Sequence, residues 1–391
     1  MTAALEGITI LDLAHLPPGA YCTMILGDLG AEVMKVIPPN FPLQSPPGVG
    51  EQERWAAYDA HLRNKKSLIL NLRNDDGRKV FYKLVAGADV IVEGFRPGVV
   101  KRLGVDYETV KEVNPRVVYC SLSGFGQDGP YAQMPGHDIN FISIGGVLGI
   151  IGEAGGRPIL PSNLVADFAS AGLHGAIGIM AALMARERTG QGQYVDIAYI
   201  DGVISLMTWE ASAYFASGVV PKRGETITTG AVPFYNIYKT KDDKYVSIGC
   251  VEAHFWQNLC MELGRKDFIP HQFTKEKYDE MFSFLRETFL TRNRDEWFGL
   301  LKDRNIPIAP VYDLDEVFTD PQVLHRQLMV DTQHPKFGRV KQAGIPIKLS
   351  ETPGRIRSPG AMPGTDTDEI LATLGYTKED IERLRETGAV G

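Results

Sequence analysis

The sequence has 391 residues, which is too long for one ordinary hydrophobic core and therefore predicts two domains. Apolar residues make up 44% of the chain and charged residues 23%, so the composition is that of a globular protein and excludes a disordered chain. The net charge of −7 argues against non-specific binding of nucleic acid over the whole surface, whereas a local basic pocket for an anionic ligand stays open.

The first half of the chain alternates predicted strands with predicted helices. Short β-branched runs indicate strands, helical spacing of apolar residues indicates helices, and glycines mark several boundaries. The predicted strands cover residues 8–13, 32–37, 67–71, 88–93, 117–121 and 193–198, and the predicted helices cover 21–29, 75–85 and 105–113. This alternation is typical of an α/β fold with an open, doubly wound parallel sheet.

The second half changes in texture. The expected elements are a buried, Ala- and Gly-rich helix over 168–186, a helix over 202–215, a hairpin over 235–240 and 245–249, and helices over 254–263, 276–290, 294–303, 366–373 and 378–387. Residues 309–364 are rich in Pro and Gly. We predict a large domain over 1–200, completed by about 335–391, a small α/β domain over 228–325, and linkers over 201–227 and 326–334.

The distribution of cysteines and the hydropathy of the chain predict its cellular compartment. Cys22, Cys120, Cys250 and Cys260 are scattered and form no CxxC pair, so we expect reduced, buried thiols and no metal site. The first residues lack a basic, apolar leader, and no apolar segment approaches the ~20 residues that a membrane span needs. We therefore expect a cytoplasmic protein that binds neither nucleic acid nor membrane.

Residues 124–129 match the GxGxxG pattern and follow a predicted strand. A dinucleotide site requires a helix to open there, whereas Pro130 follows at once and Pro135 soon after. We predict a loop rather than a NAD site, and the loop can still present backbone N–H groups to a ligand. The chain also lacks GxSxG, GxxxxGK[ST] and HExxH, which disfavours serine hydrolases, P-loop enzymes and zincins.

Three residues are candidates for chemistry. His137 follows Gly136, and histidine transfers protons in both directions near neutrality, but the same pattern fits a helix start. Asp167 enters the small-residue helix, where a carboxylate is either an N-cap or a nucleophile or base. Glu252 follows a predicted strand, where functional residues often lie, although a surface glutamate at a helix start is commoner.

Basic residues near predicted strand ends favour a phosphate-bearing ligand. Arg63 and Arg96 lie close to such ends in the first domain, and open α/β sheets bind ligands at the carboxyl ends of their strands. Arginine matches phosphate oxygens in fork geometry. Solvated surface is the alternative for each of these side chains.

Together, these segments resemble the family III CoA-transferase superfamily, which includes the α-methylacyl-CoA racemases. The resemblance runs from about Leu5 to Gly202 and more weakly to Asp331. The runs that carry it are 25–33 (ILGDLGAEV), 63–67 (RNKKS), 93–98 (EGFRPG), 124–130 (GFGQDGP), 136–140 (GHDIN), 163–168 (NLVADF) and 188–193 (RTGQGQ).

The resemblance implies a Rossmann-like large domain, a smaller α/β domain and an interlocked homodimer. It implies an acyl-CoA substrate and no cofactor, since CoA is part of the substrate. Racemases of the superfamily often carry a basic residue where this chain has Pro38, so a phosphate contact there is in doubt. The expected CoA contacts are Arg63, Leu70, Asn71, Leu72, Arg73, Gly94, Arg96, Arg102, Gly136, Asp138 and Asn140.

Two activities branch at the aspartate. The superfamily's CoA-transferases use the residue matching Asp167 as a nucleophile and form an aspartyl-CoA thioester, whereas its racemases use that residue as a base. The racemases pair it with a histidine, matched by His137, and a supporting glutamate, matched by Glu252. The resemblance favours racemisation of 2-methyl-branched acyl-CoA thioesters by two-base proton transfer through an enolate, which backbone N–H groups near Asp167 could stabilise. CoA transfer between carboxylic acids is the alternative, and CoA binding without catalysis is disfavoured.

Overall fold

The computed structural model describes residues 2–42 and 46–391, and the chain divides into two compact units. The first unit comprises Met1–Gly145, Pro161–Leu206 and Pro321–Gly391, and the second comprises Gly146–Leu160 and Met207–Asp320. These bounds differ from the predicted ones in three ways. The second unit ends at Asp320 rather than at 325, so the predicted second linker, 326–334, belongs to the first unit. Residues 146–160 group with the second unit, and the segment predicted as a first linker, 201–227, is divided between the units.

Six parallel strands form the sheet of the first unit, in the order β3-β2-β1-β4-β5-β6. They are β1 (Thr9–Asp12), β2 (Glu32–Ile37), β3 (Lys65–Ile69), β4 (Val90–Glu93), β5 (Val118–Ser123) and β6 (Tyr194–Ala198). The predicted doubly wound α/β fold is confirmed, and the strand order reverses between β1 and β4. That gap is the topological switch point, where such sheets bind their ligands.

Helices pack against the sheet and form much of the second unit. They are α1 (Pro17–Asp28), α2 (Gln52–Tyr58), α3 (Asp75–Ala86), α4 (Val99–Leu103), α5 (Tyr107–Val113), α6 (Asp138–Ile144), α7 (Val147–Ile150), α8 (His174–Thr189), α9 (Tyr199–Leu206), α10 (Thr208–Ser217), α11 (Ala253–Glu262), α12 (Tyr278–Phe289), α13 (Arg294–Leu301), α14 (Leu314–Val317), α15 (Pro321–His325), α16 (Thr367–Thr373) and α17 (Lys378–Glu386). Fully buried residues such as Leu11, Ile91 and Phe81 join strands and helices in one apolar cluster.

The predicted buried helix begins earlier than expected. A π-helical segment, Leu164–Leu173, runs directly into α8, so the helical stretch covers Leu164–Thr189, or 26 residues. This stretch is long and apolar enough to cross a membrane, so the expectation that no segment approaches that length is wrong. Core helices of soluble proteins pass the same test of length and composition, which makes it weak evidence for a membrane span.

The second unit contains the predicted hairpin and one strand that the sequence patterns missed. Its antiparallel sheet has the order β7-β8-β9, with β7 at Tyr235–Lys239, β8 at Tyr245–Gly249 and β9 at Ile308–Pro310. Trp256, Phe289 and Trp297, each at most 4% exposed, pack beneath one face of this sheet.

The stretch predicted as irregular also contains a hairpin. β10 (Met329–His334) pairs with β11 (Gly338–Ala343) in the first unit, so the segment 326–334 is not a plain linker. The residues of this hairpin are predominantly polar, so the sequence lacks the apolar alternation that predicts a strand.

Candidate active site

His137 precedes α6 and has extended backbone geometry, with φ −127° and ψ 177°. Its backbone N–H donates to Asn140 Oδ1 at 3.0 Å, which is one half of a capping box at the start of α6. Gly136 is required by packing, since a Cβ there would lie 2.7 Å from Phe141 Cε1. The imidazole of His137 is exposed and borders a cavity.

Asp167 lies in the first turn of the π-helical segment and is half-buried. It is not the N-cap, which is Asn163, and Asn163 Nδ2 donates to Asp167 Oδ2 at 3.3 Å. Burial raises the pKa of Asp167; the charge of Asp138 adds to this, while Asn163 and His137 act in the opposite direction. The carboxylate is therefore a stronger base than a solvated aspartate.

Asp138 fixes the backbone around Asp167 by accepting two of its N–H groups. It is 6% exposed, and its Oδ2 accepts the N–H of Ala166 at 2.7 Å and the N–H of Asp167 at 3.0 Å. The expectation that Asp138 contacts CoA is corrected, because its side chain is buried against the helix start. The N–H groups of Ala166 and Asp167 are already bonded to Asp138, so these two are not free to stabilise an enolate.

Asp167 and His137 line the same cavity, which we call the central cavity. Its volume is about 410 Å³, within the range of small-molecule sites. It lies beyond the carboxyl ends of β1, β4 and β5, at the switch point of the sheet. The residues that line it are Leu16, Pro17, Pro18, Gly94, Phe95, Arg96, Pro97, Leu122, Ser123, Gly124, Phe125, Ala132, Met134, Pro135, Gly136, His137, Asn140, Phe141, Asp167 and Tyr199.

A second cavity of about 640 Å³, the lateral cavity, lies in the same unit. Phe95 borders both cavities, so one ligand could pass from one to the other beside this ring. The lateral cavity collects the predicted segment 70–73. Its lining consists of Leu13, His15, Val36, Pro38, Pro39, Asn40, Phe41, Pro42, Leu70, Asn71, Leu72, Arg73, Phe95, Val99 and Leu103.

Arg63 is not available to a phosphate, which corrects its predicted role. The side chain is 1% exposed and forms a two-pronged ion pair with Asp28, Nε to Oδ1 at 3.0 Å and Nη2 to Oδ2 at 2.6 Å. A third bond joins Nη1 to the carbonyl of Ala343 at 2.5 Å. Arg73 and Arg96, by contrast, are exposed and line the lateral and central cavities respectively, and Arg102 is exposed but lines neither.

Glu252 belongs to the second unit, where it precedes α11 as the N-cap residue. Its side chain is exposed and makes no capping hydrogen bond. A structural requirement of the helix therefore does not explain a glutamate at this position.

Sequence reasoning missed two polar groups that border the cavities. His15 lines the lateral cavity; burial lowers its pKa to about 4, and among the described residues its Nδ1 has no hydrogen-bond partner. Ser123, 6% exposed, lines the central cavity with a hydroxyl that likewise lacks a partner in the described part of the chain. Both follow or end a strand at the switch point, and that position was the available signal. The described residues contain no cluster of three or more His, Cys, Asp or Glu suited to a metal.

Comparison with known proteins decides the family. A model described as CoA-transferase family III matches residues 5–368. The chain belongs to CoA-transferase family III. Human alpha-methylacyl-CoA racemase is 33% identical over 384 residues, which cover 97% of this chain and 96% of the racemase. Human succinyl-CoA:glutarate CoA-transferase is 32% identical over 397 residues, which cover 99% of this chain and 90% of the transferase.

Solved structures agree with this assignment. A CAIB/BAIF family protein from Brucella suis is 29% identical, has a TM-score of 0.84 and covers 96% of this chain and 100% of its own. The chain is therefore an enzyme of CoA-transferase family III. Racemases and transferases resemble it to nearly the same degree, so the site rather than the similarity has to distinguish between the two activities.

Proposed function

We propose that this family III enzyme racemises the α-carbon of 2-methyl-branched acyl-CoA thioesters by two-base proton transfer. The observation that carries the proposal is the presence of His137 and Asp167 in one cavity, with Asp138 rather than Asp167 accepting the N–H groups at the start of the helix that carries Asp167. A transferase mechanism with Asp167 as its nucleophile assigns no step to the His137 imidazole, whereas two-base proton transfer uses both groups.

The two groups suit the chemistry. A thioester carbonyl acidifies the α-proton, and two bases on opposite faces of the α-carbon can remove the proton and return it on the other side. Burial makes Asp167 more basic than a solvated carboxylate, and histidine accepts or donates a proton near neutrality. Each enantiomer is then deprotonated by one residue and its enolate reprotonated by the other.

We further propose that CoA occupies the lateral cavity and extends past Phe95 into the central one. Arg73 supplies positive charge to the first cavity and Arg96 to the second, and the buried Nδ1 of His15 can pair with a polar atom of the nucleotide. Glu252 is proposed to support His137 in the assembled enzyme, as the family resemblance implies. No resident cofactor is needed for this cycle.

The test is α-proton exchange in deuterated water with an (R)- or (S)-2-methylacyl-CoA and no acceptor acid. Racemisation predicts incorporation of deuterium at the α-carbon together with loss of optical purity. His137→Ala and Asp167→Asn are each expected to lower racemisation at least ~100-fold, and each to lower α-exchange for the one enantiomer that the lost base deprotonates. His325→Ala, an exposed histidine of α15, is the matched control and should keep both rates.

The transferase alternative predicts different results. CoA would pass to an added dicarboxylic acid without α-exchange, and hydroxylamine would trap an aspartyl thioester on Asp167. His137→Ala would then retain most of the activity. These results would exclude the racemase mechanism.

A further inference from the structure

A buried glutamate stands behind the wall shared by the two cavities, and the proposed mechanism does not use it. Glu93 ends β4 and is 1% exposed. One carboxyl oxygen accepts the hydroxyl of Ser121 on the neighbouring strand, and the other accepts the backbone N–H of Phe95 at 2.7 Å. Glu93 therefore fixes the first peptide groups of the loop 94–97.

That loop is the part of the chain common to both proposed binding sites. Phe95 borders the central and lateral cavities, and Arg96 lines the central one. A change at Glu93 reaches the ligand through one hydrogen bond, at Phe95 N–H. Glu93 itself lines neither cavity, so its role is that of a positioning residue.

The surroundings disfavour a negative charge on Glu93. Among the described residues no cationic side chain forms an ion pair with it, and Asp196 stands on the same face of the sheet, in register with Ser121 on the next strand. Burial raises the pKa of Glu93 to about 7, against the hydrogen bonds from Ser121 and Phe95, and Asp196 adds to the increase.

The other titratable groups near Glu93 are uncharged at neutrality. Burial raises the pKa of each, so the phenols and the thiol keep their protons. These groups are Tyr119 and Cys120 on β5, Tyr194 on β6 and Tyr199 after it. Glu93, with a pKa of about 7, is thus the group in this set whose charge changes between pH 6 and 8.5.

We propose that Glu93 links a proton to CoA binding: it anchors the loop 94–97 in either protonation state, and the neutral acid is the form that favours the anionic ligand. The protonated carboxyl donates to Ser121 Oγ and still accepts from Phe95 N–H, so the loop keeps its anchor. An ionised Glu93 would place a buried negative charge behind a wall that faces an anionic ligand. The inference rests on the proposed function in one respect, namely that CoA occupies these cavities.

The experiment is calorimetric titration of the full-length protein with CoA from pH 6 to 8.5, in buffers of different ionisation enthalpy. For the wild type, the Kd should rise roughly fivefold over this range, with net proton uptake on binding. Glu93→Gln mimics the neutral acid, since its amide can donate to Ser121 and accept from Phe95. Its Kd should equal the wild-type value at pH 6 and change less at high pH. Protonation of the 3′-phosphate of CoA contributes equally to both proteins and cancels in the difference.

Two outcomes overturn the proposal in distinguishable ways. Equal proton uptake and equal pH slopes in the two proteins would refute the role of Glu93 and leave CoA binding intact. Absence of CoA binding by the wild type would refute the proposed function together with this inference.

A second measurement covers the case in which Glu93→Gln fails to fold. The infrared difference spectrum of the wild type at pH 7.5, with and without CoA, should show a gain in the C=O stretch of a protonated carboxyl. A spectrum without that gain contradicts the proposal.

Discussion

At the scale of single residues, the carboxylate of Asp138 supports the site although it does not line the central cavity. It is the acceptor for two N–H groups at the start of the helix that carries Asp167. The position of the proposed base thus depends on a buried side chain in another segment, 29 residues away in sequence.

Removal of the Asp138 carboxylate should affect both the position of Asp167 and the stability of the protein, and the two effects can be measured separately. Asp138→Ala is expected to cost about 1–3 kcal/mol in the free energy of unfolding, because two buried N–H groups lose their acceptor. The α-exchange rate should fall at least ~10-fold as Asp167 shifts. Asp106→Ala, which removes the N-cap of α5, is the control. It should cost about 1 kcal/mol in urea unfolding and leave exchange unchanged.

Arg63 makes a second residue-level prediction, since it is buried and paired rather than ligand-binding. Arg63→Ala leaves Asp28 charged and unpaired in the interior, and should destabilise the protein by about 3–5 kcal/mol. Arg73→Ala should change stability by less than about 0.5 kcal/mol and weaken CoA binding. Urea unfolding and CoA titration of both variants check the assignment, which would be wrong if Arg63→Ala folded normally and lost CoA.

The protonation of Glu93 also predicts how stability depends on pH. Its pKa rises on folding from 4.5 to about 7, so the stability it contributes is fully present below pH 4.5 and is lost as pH rises through 7. As pH rises through that window, the unfolding free energy of the wild type should fall relative to that of Glu93→Gln by on the order of 3 kcal/mol. Parallel curves in urea titrations at pH 4.5 to 8 would contradict a neutral Glu93.

At the scale of elements, the site depends on loops that leave the sheet at its switch point. Loops after β1, β4 and β5 contribute to one cavity, because the carboxyl ends of parallel strands share an edge. The lateral cavity depends on a different element. The last residues of the chain lie along the segment that follows β3, through a bridge between Val390 and Leu70 and a bond from Asn71 N–H to the carbonyl of Ala389.

Deletion of residues 387–391 should therefore loosen the lateral cavity as well as the core. Ala389 and Val390 are 0% and 4% exposed, and Asn71 Nδ2 and Asn74 Nδ2 donate to the carbonyls of Gly388 and Thr387. We expect a lower Tm and a Kd for CoA about 10-fold higher. Deletion of residue 391 alone leaves those bonds in place and is the control. An unchanged Kd for CoA in the longer deletion would show that the segment 70–73 keeps its conformation without the C-terminal residues.

At the scale of the whole molecule, exposed apolar residues indicate an additional partner surface. Helix α10 has no buried residue, and its Trp209 and Phe215 are each 80% exposed. Large apolar side chains that are exposed together commonly mark a protein–protein interaction site. We propose that the partner is a second copy of the chain, as the resemblance to the family implies.

Sedimentation should then give about twice the mass of one 43.1 kDa chain. Replacing both Trp209 and Phe215 with lysine should weaken the dimer, because two charges would be placed in an apolar contact. Val113→Lys, at a 42% exposed position of α5, is the control substitution. A wild-type monomer at micromolar concentration would refute the dimer.

Much of this molecule follows from local sequence. β-branched runs and glycine boundaries predicted the six strands of the parallel sheet, and the GHDIN and NLVADF runs marked His137 and Asp167 before any geometry was known. Such signals are short-range, since strand periodicity, turn residues and motif spacing act within about ten residues.

What only the tertiary structure decided involves partners that are distant in sequence. Arg63 resembled a phosphate ligand until Asp28, 35 residues away, proved to be its partner, and Asp138 resembled a ligand contact until it met the helix start at Ala166. In the sequence, Glu93 was only part of a run of matching residues. The structure showed that it is buried and hydrogen-bonded to Ser121, which motivated the proposal that it binds a proton. Burial and pairing of a charge depend on the whole fold, because desolvation and Coulomb energy are set by every group packed around it.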